Sequence, residues 1–299
     1  MIEQIDLHDY DTILSSSHAI GKGIIPPSHA IHICYCHTPL RYAWEMEEEY
    51  LESYKIPRLL RPFVRRFLKK LRRFDLSTAK RVDTFIANST TTQERILRTY
   101  GRDSIVIHPP AHDRFFHVPL TPPISKSQHP YFLAVGRLVP YKRFDLLIEA
   151  ANMLRCPLKI VGSGQDEKRL RKIAGPTVEF LGFVPDEDLP HLYAEAQALL
   201  FAPLEDAGVV PLEAQACGTP VIAYGKGGVL DTIKEEETGL FFHTQSAQSI
   251  VDALQKFREQ SFDPQWIRSH AKQFSSTLFR ERILTSVTET VQRLRHHGT

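Results

Sequence analysis

Two short stretches carry residue types that handle phosphate and sugar. The first is Gly136-Arg137-Leu138-Val139-Pro140-Tyr141-Lys142, which follows the apolar run 131–135. A guanidinium grips two phosphate oxygens in a fork, and an ammonium adds a compact charge. Arg137 and Lys142 together suit a diphosphate; taken alone, the segment reads equally as two solvated loop cations. The second stretch is Glu205-Asp206-Ala207-Gly208-Val209-Val210-Pro211-Leu212-Glu213. Gly208 permits close approach of backbone to a ligand. The helix expected after it offers free N–H groups and the positive end of its dipole. Carboxylates accept hydrogen bonds from paired hydroxyls. Glu213 can therefore hold a ribose and Glu205 a transferred sugar. A capping acid followed by a surface acid is the plainer alternative.

These loops need a scaffold, and the pattern from residue 130 onward supplies one. Strand-like runs are expected over 131–135, 158–161, 178–181, 198–202 and 220–224. Helices are expected over 144–154, 165–174, from a cap at Asp186 to Ala196, over 209–216 and over 246–257. Alternation of this kind predicts a parallel sheet with helices on both faces, which binds ligands at the carboxyl ends of its strands. Residues 120–130 are rich in Pro and Ser and read as a linker. The first half is also α/β, with strands expected over 10–15, 31–36, 84–87 and 104–107 and a helix over 90–100 closed by Gly101. The expected domains are 1–122, 123–275 and a C-terminal helix over 276–299 that packs back on the first.

In order along the chain stand Gly136-Arg137-(x4)-Lys142, Gly162-Ser163-Gly164, Leu181-Gly182-Phe183-Val184 and Glu205-(x7)-Glu213-Ala-Gln-Ala-Cys-Gly-Thr-Pro-Val. This series resembles glycosyltransferase family 4. The first half adds Tyr35-Cys36-His37-Thr38-Pro39-Leu40-Arg41-Tyr42-Ala43-Trp44 and Asn88-Ser89, which look like the acceptor domain of the family's mannosyltransferase-like members. The resemblance implies a GT-B fold: two Rossmann-like domains facing a cleft, the first one incomplete here. It implies transfer from a nucleoside-diphosphate sugar with retention of anomeric configuration, and neither cofactor nor metal. A GDP-linked donor, hence mannose, is favoured, with a saccharide or lipid-linked acceptor. By this resemblance Arg137 and Lys142 stabilise the leaving diphosphate, Glu205 holds the donor sugar, and His37 reaches toward donor or acceptor from the other domain. Donor binding falls to Gly136, Gly162, Val184, Asp206, Ala207, Gly208, Val209 and Glu213.

Two features depart from the family pattern. Ala207 stands where an aromatic residue is usual, which alters the sugar pocket. The chain also opens after the strand and Gly-rich loop with which family members normally begin. Two functional classes therefore fit: an active glycosyltransferase, or a non-catalytic nucleotide-sugar-binding remnant or subunit of a complex.

Other signals are weaker. Asp9-Tyr-Asp11 and Asp186-Glu-Asp188 mimic a metal-binding DxD triplet, but one precedes a strand and the other a helix. Gly162-Ser-Gly164 offers two glycines of a dinucleotide fingerprint, with Glu167 where the third belongs; an acid there opposes a pyrophosphate. The 299 residues carry a net charge of +2, with 42% hydrophobic and 24% charged residues. That balance is globular and argues against a nucleic-acid partner. Four cysteines without a CxxC pair fit a reducing compartment, and the polar start of the chain predicts a cytoplasmic protein. The exception to even charge is 55–73, where nine cations recur with apolar residues at helical spacing and without an acid. Such a helix either packs on the first domain with a solvated basic face or lies on an anionic membrane surface, placing the protein on the inner face.

Overall fold

The structure is a computed structural model that describes residues 2–45, 47–53, 56–120 and 130–297. Most of the expected linker, 121–129, and Lys55 of the basic stretch lie outside the described residues. The chain forms two compact units, Met1–His108 with Phe279–Thr299, and Pro109–Leu278. The boundary thus falls earlier than the Pro-rich stretch, because Ala111, Phe115 and Val118 are buried in the core of the second unit.

In the first unit β1 (Thr12–Ser17) and β2 (Ile31–Cys36) are followed by three helices, α1 (Arg41–Trp44), α2 (Glu47–Ser53) and α3 (Arg61–Ala79). Then come β3 (Thr84–Ala87), α4 (Thr90–Tyr100) and β4 (Ser104–Val106). The four strands are parallel and lie in sequence order, β1-β2-β3-β4. Local chemistry sets the ends of α4: the Ser89 hydroxyl accepts from Thr92 N at 3.0 Å, and Gly101 closes the helix at φ 62°. A buried ion pair joins Lys22 to Asp75 of α3. The second oxygen of Asp75 accepts from Trp44 Nε1 at 2.8 Å and Tyr100 Oη at 2.9 Å. Charge neutralisation and full hydrogen bonding make that burial tolerable.

The second unit runs β5 (Phe132–Val135), α5 (Phe144–Leu154), β6 (Leu158–Val161), α6 (Glu167–Ile173) and β7 (Val178–Gly182). It continues α7 (Leu189–Glu195), β8 (Leu199–Phe201), α8 (Val209–Ala216), β9 (Val221–Tyr224) and α9 (Val229–Thr232). It ends β10 (Gly239–Phe242), α10 (Ala247–Arg258), α11 (Pro264–Ala271) and the start of α12 (Ser276–His297). The helix before β8 begins after Asp188, without a side-chain cap, and not at Asp186 as the sequence predicts. Asp186 is instead drawn to Arg114, 3.0 Å away. The strand order is β10-β9-β8-β5-β6-β7, all parallel. Apolar residues fill both faces of the central strands, as in a sheet covered by helices on each side.

From Phe279 onward α12 belongs to the first unit. Phe279, Ile283 and Val287 pack on Ile33, Tyr35, Ile86 and Ile107, covering one face of that sheet.

Candidate functional site

The order of the second sheet reverses between β5 and β8. The chain winds outward from β5 through β6 to β7, then returns to β8 and winds the other way. Loops leaving the carboxyl ends of β5 and β8 diverge at such a point and leave a crevice for a ligand. Those two loops carry the two stretches singled out above.

After β5 the chain turns at Gly136. The turn is held by Gly136 N donating to Val161 O at 3.0 Å and by Leu138 N donating to Ser163 O at 2.9 Å. Gly162 must lack a side chain here: a Cβ would lie 2.0 Å from the Gly136 carbonyl oxygen. Gly164 likewise faces the Leu138 carbonyl. The Gly162-Ser-Gly164 pair thus serves the contact between two strand-end loops. Pro140–Lys142 form one 3-10 turn that presents Lys142, while Arg137 is exposed.

After β8 the loop carries Glu205. Lys142 Nζ lies 2.5 Å from Glu205 Oε1, both side chains being mostly covered. The contact is an ion pair, and this carboxylate oxygen is buried. The Glu205 main chain is fixed from the far side, by a parallel bridge to Gly227 and by Gly228 N donating to Glu205 O at 2.9 Å. A Cβ on Gly228 would fall 2.2 Å from the Asp206 carbonyl oxygen. This Gly225-Lys226-Gly227-Gly228 loop is a part of the site that sequence reasoning passed over; its signal was a glycine cluster directly after a strand. Ala207 is buried beside Gly228. Gly208, at φ 64°, starts α8, whose first turn no side chain caps and whose Val209 is exposed.

Glu213 sits one turn into α8. Its Oε2 accepts from Tyr193 Oη at 2.9 Å, and Tyr193 is completely buried. Burial pushes the Glu213 carboxyl up to about 7; the Tyr193 hydrogen bond opposes this, Asp186 adds to it and Arg114 opposes it. Tyr193, Arg114 and Asp186 are the surroundings of Glu213 that the sequence left unidentified, since they lie far from it along the chain. Val184 follows β7, partly buried, beside an exposed Phe183. The second unit therefore gathers Gly136, Arg137, Lys142, Gly162, Val184, Glu205, Asp206, Ala207, Gly208, Val209 and Glu213 on loops or helix starts beyond the carboxyl ends of its strands.

His37 belongs to the first unit, just past the end of β2. Its Nε2 is 2.8 Å from Ser16 Oγ, and its ring meets Tyr35 edge-on. This strand-end position is like that of the loops carrying Lys142 and Glu205 in the second sheet. Among the described residues, no group of three or more His, Cys, Asp or Glu side chains is placed to hold a metal ion.

Two α/β units with parallel sheets, the second doubly wound with the Lys142–Glu205 ion pair on the loops at its switch point, are those of the GT-B fold. The model of the family of glycosyl transferases group 1 matches residues 122–274, just over half of the chain, and the chain belongs to that family. A GDP-mannose-dependent alpha-(1-6)-phosphatidylinositol monomannoside mannosyltransferase of Mycobacterium tuberculosis is 33% identical over 146 residues, 43% of this chain and 38% of that protein. Mannosylfructose-phosphate synthase of Agrobacterium fabrum is 29% identical over 271 residues, 79% of this chain and 59% of that protein. The chain thus spans about two to three fifths of the length of these relatives. Among solved structures, Anabaena HepE in complex with UDP and glucose superposes with a TM-score of 0.65 at 17% identity, over 93% of this chain and 99% of that one. Sucrose-phosphate synthase from Thermosynechococcus elongatus gives 0.65 at 21% identity, over 97% and 74%. These likenesses establish the fold.

Proposed function

We propose that the protein is a glycosyltransferase that moves a hexosyl group from a nucleoside-diphosphate sugar to a saccharide or lipid-linked acceptor. The observation that carries this reading is the ion pair of Lys142 and Glu205 at the switch point, beside the uncapped start of α8. In the reaction the bond from the anomeric carbon to the phosphate oxygen breaks, and its electron pair stays on the diphosphate. The acceptor oxygen bonds to that carbon and passes its proton to the departing phosphate oxygen. Lys142 and Arg137 neutralise the departing diphosphate, and the N–H groups at the head of α8 add to this. Glu205 accepts a hydroxyl of the transferred sugar through its other carboxylate oxygen, and Glu213 accepts from the ribose. His37 acts on the donor or acceptor side by the motif it belongs to.

The resemblance to glycosyltransferase family 4 favours retention of configuration and a reaction without a metal. The mannosyltransferase-like motifs, and the names of the mycobacterial and Agrobacterium relatives, favour GDP-mannose. Against this, HepE is described with UDP and glucose, so UDP-glucose is the second donor to try. Calorimetric titration of the chain with GDP, UDP and ADP tests the proposal. Binding of one of them, lost in Lys142→Ala, supports it and identifies the base. A folded sample that binds none counts against both the transferase and the nucleotide-sugar-binding remnant, and leaves a subunit of a complex. A cytoplasmic location is part of this proposal and is supported by the four free cysteines.

A further inference from the structure

The basic stretch resolves into α3, which carries two distinct apolar stripes. Val64, Leu68 and Leu71 turn inward and pack with Leu40, Ala43 and Trp44. Leu59 and Leu60, in the turn before the helix, and Phe63 and Phe67, on its first turns, turn outward. Leu59 is 87% exposed, Phe63 72% and Phe67 58%. Large apolar side chains are exposed singly on most surfaces, but four at one end of one helix form a patch that water disfavours.

Helical spacing continues that outer stripe with cations. At 100° per residue Arg66, Lys70 and Arg73 lie within a quarter turn of Phe63, with Lys69 beside them. All four are exposed. Among the described residues, Glu47 and Glu48 pair with Arg65, and Glu47 also with Arg72. No ion pair to Arg66, Lys69, Lys70 or Arg73 occurs among the described residues. The outward face is thus an apolar wedge continued by four exposed positive charges. A flat anionic surface with an apolar interior complements both halves at once: the wedge enters the acyl boundary while the cations meet headgroup phosphates. A nucleic acid would engage the cations and leave Leu59, Phe63 and Phe67 in water.

We propose that the outer face of α3, with Leu59 and Leu60, docks on an anionic lipid bilayer. This concerns the first unit alone and stands whether or not the second unit binds a nucleotide.

The test is cosedimentation of the chain with vesicles of phosphatidylcholine, alone or mixed with an equal part of phosphatidylglycerol. Binding to the mixed vesicles only, weakened by added salt, is expected. Each cation close to such a surface contributes roughly fivefold in affinity, so replacing Arg66, Lys70 and Arg73 by Gln should weaken binding about a hundredfold. Phe63→Ser with Phe67→Ser should weaken it by at least about tenfold. Both sets change exposed side chains, and circular dichroism with thermal melting verifies that each variant is folded. Equal binding to both vesicle types, or to neither, overturns the proposal. So does loss of binding in the charge variant with full binding in the wedge variant, which marks a general polyanion patch. A dimer dispersed by the wedge variant, without vesicle binding, marks a self-association face and also overturns it.

Discussion

Lys142 and Glu205 are held 2.5 Å apart. An ion pair at such a place does two things. It holds the Glu205 carboxylate in one orientation, and it places a cation where a diphosphate would gather charge. Removing one preorganised donor of this kind costs on the order of a hundredfold in kcat. Lys142→Ala and Arg137→Ala should each show that loss in turnover of the donor identified by titration, with an unchanged melting temperature. Normal turnover in both variants would remove these residues from the mechanism. Glu213 gives a second expectation, because burial raises its pKa from an ordinary carboxylate value to about 7. A raised carboxyl pKa means that the folded state binds the proton more tightly than the unfolded chain. Stability from this group is therefore fully present at low pH, below the unfolded pKa, and is lost as pH rises through about 7. Urea unfolding between pH 5 and 8 should lose a few kcal/mol from this group, since a tenfold difference in proton affinity is worth about 1.4 kcal/mol. Glu213→Gln should flatten that slope; an unaltered slope would assign the pH dependence elsewhere.

The loops that hold these residues depend on backbone meeting backbone. Gly228 lies against the Asp206 carbonyl, and Gly162 against that of Gly136. Neither contact involves a side chain that could move aside. Gly228→Ala should therefore displace the Glu205–Asp206 segment at a cost of about 2 kcal/mol, within the usual range for overpacking. Nucleotide binding should fall with it, although residue 228 offers no group to the ligand. A variant as stable and as tight-binding as the parent would show that the loop accommodates the methyl group. In the first unit the corresponding fixed point is polar. Lys22, Trp44 and Tyr100 converge on Asp75, which ties the segment after His37 to the inner face of α3.

The two units have separate cores, yet one of them is built from both ends of the chain. Phe279, Ile283 and Val287 of α12 cover a face of the first sheet that begins at residue 12. Without them Ile33 and Ile86 would meet water, at roughly 25 cal/mol for each Å² of apolar surface uncovered. Phe279→Ala should lower the stability of the first unit by about 2 kcal/mol, less than a fully buried phenylalanine because the ring is only partly covered. Thermal unfolding with a saturating nucleotide separates the units: ligand raises the transition of the second, and the Phe279 substitution lowers that of the first. A single transition that responds equally to both would mean that the units unfold together.

Much of this molecule is written in local pattern. The runs 131–135 and 158–161 end at glycines, and helices follow at caps and turns, so the alternation and the α/β class are legible residue by residue. The positions of Arg137, Lys142 and Glu205 on strand-end loops, and of Glu213 in the helix that follows, come from the same reading. Short or remote signals escaped it. β10 is four residues long after an acidic turn, and Asp186 read as a cap because its ion-pair partner Arg114 is distant in sequence. The reversal of strand order between β5 and β8, the closing of Gly228 on Asp206 and the return of α12 to the first sheet join residues tens to hundreds of positions apart. No local period encodes such contacts; they exist because each sheet must bury both faces, and only the folded chain settles which segments do so. The same holds for α3, where spacing marked every apolar residue alike and packing chose Leu68 for the inside and Phe63 for the outside.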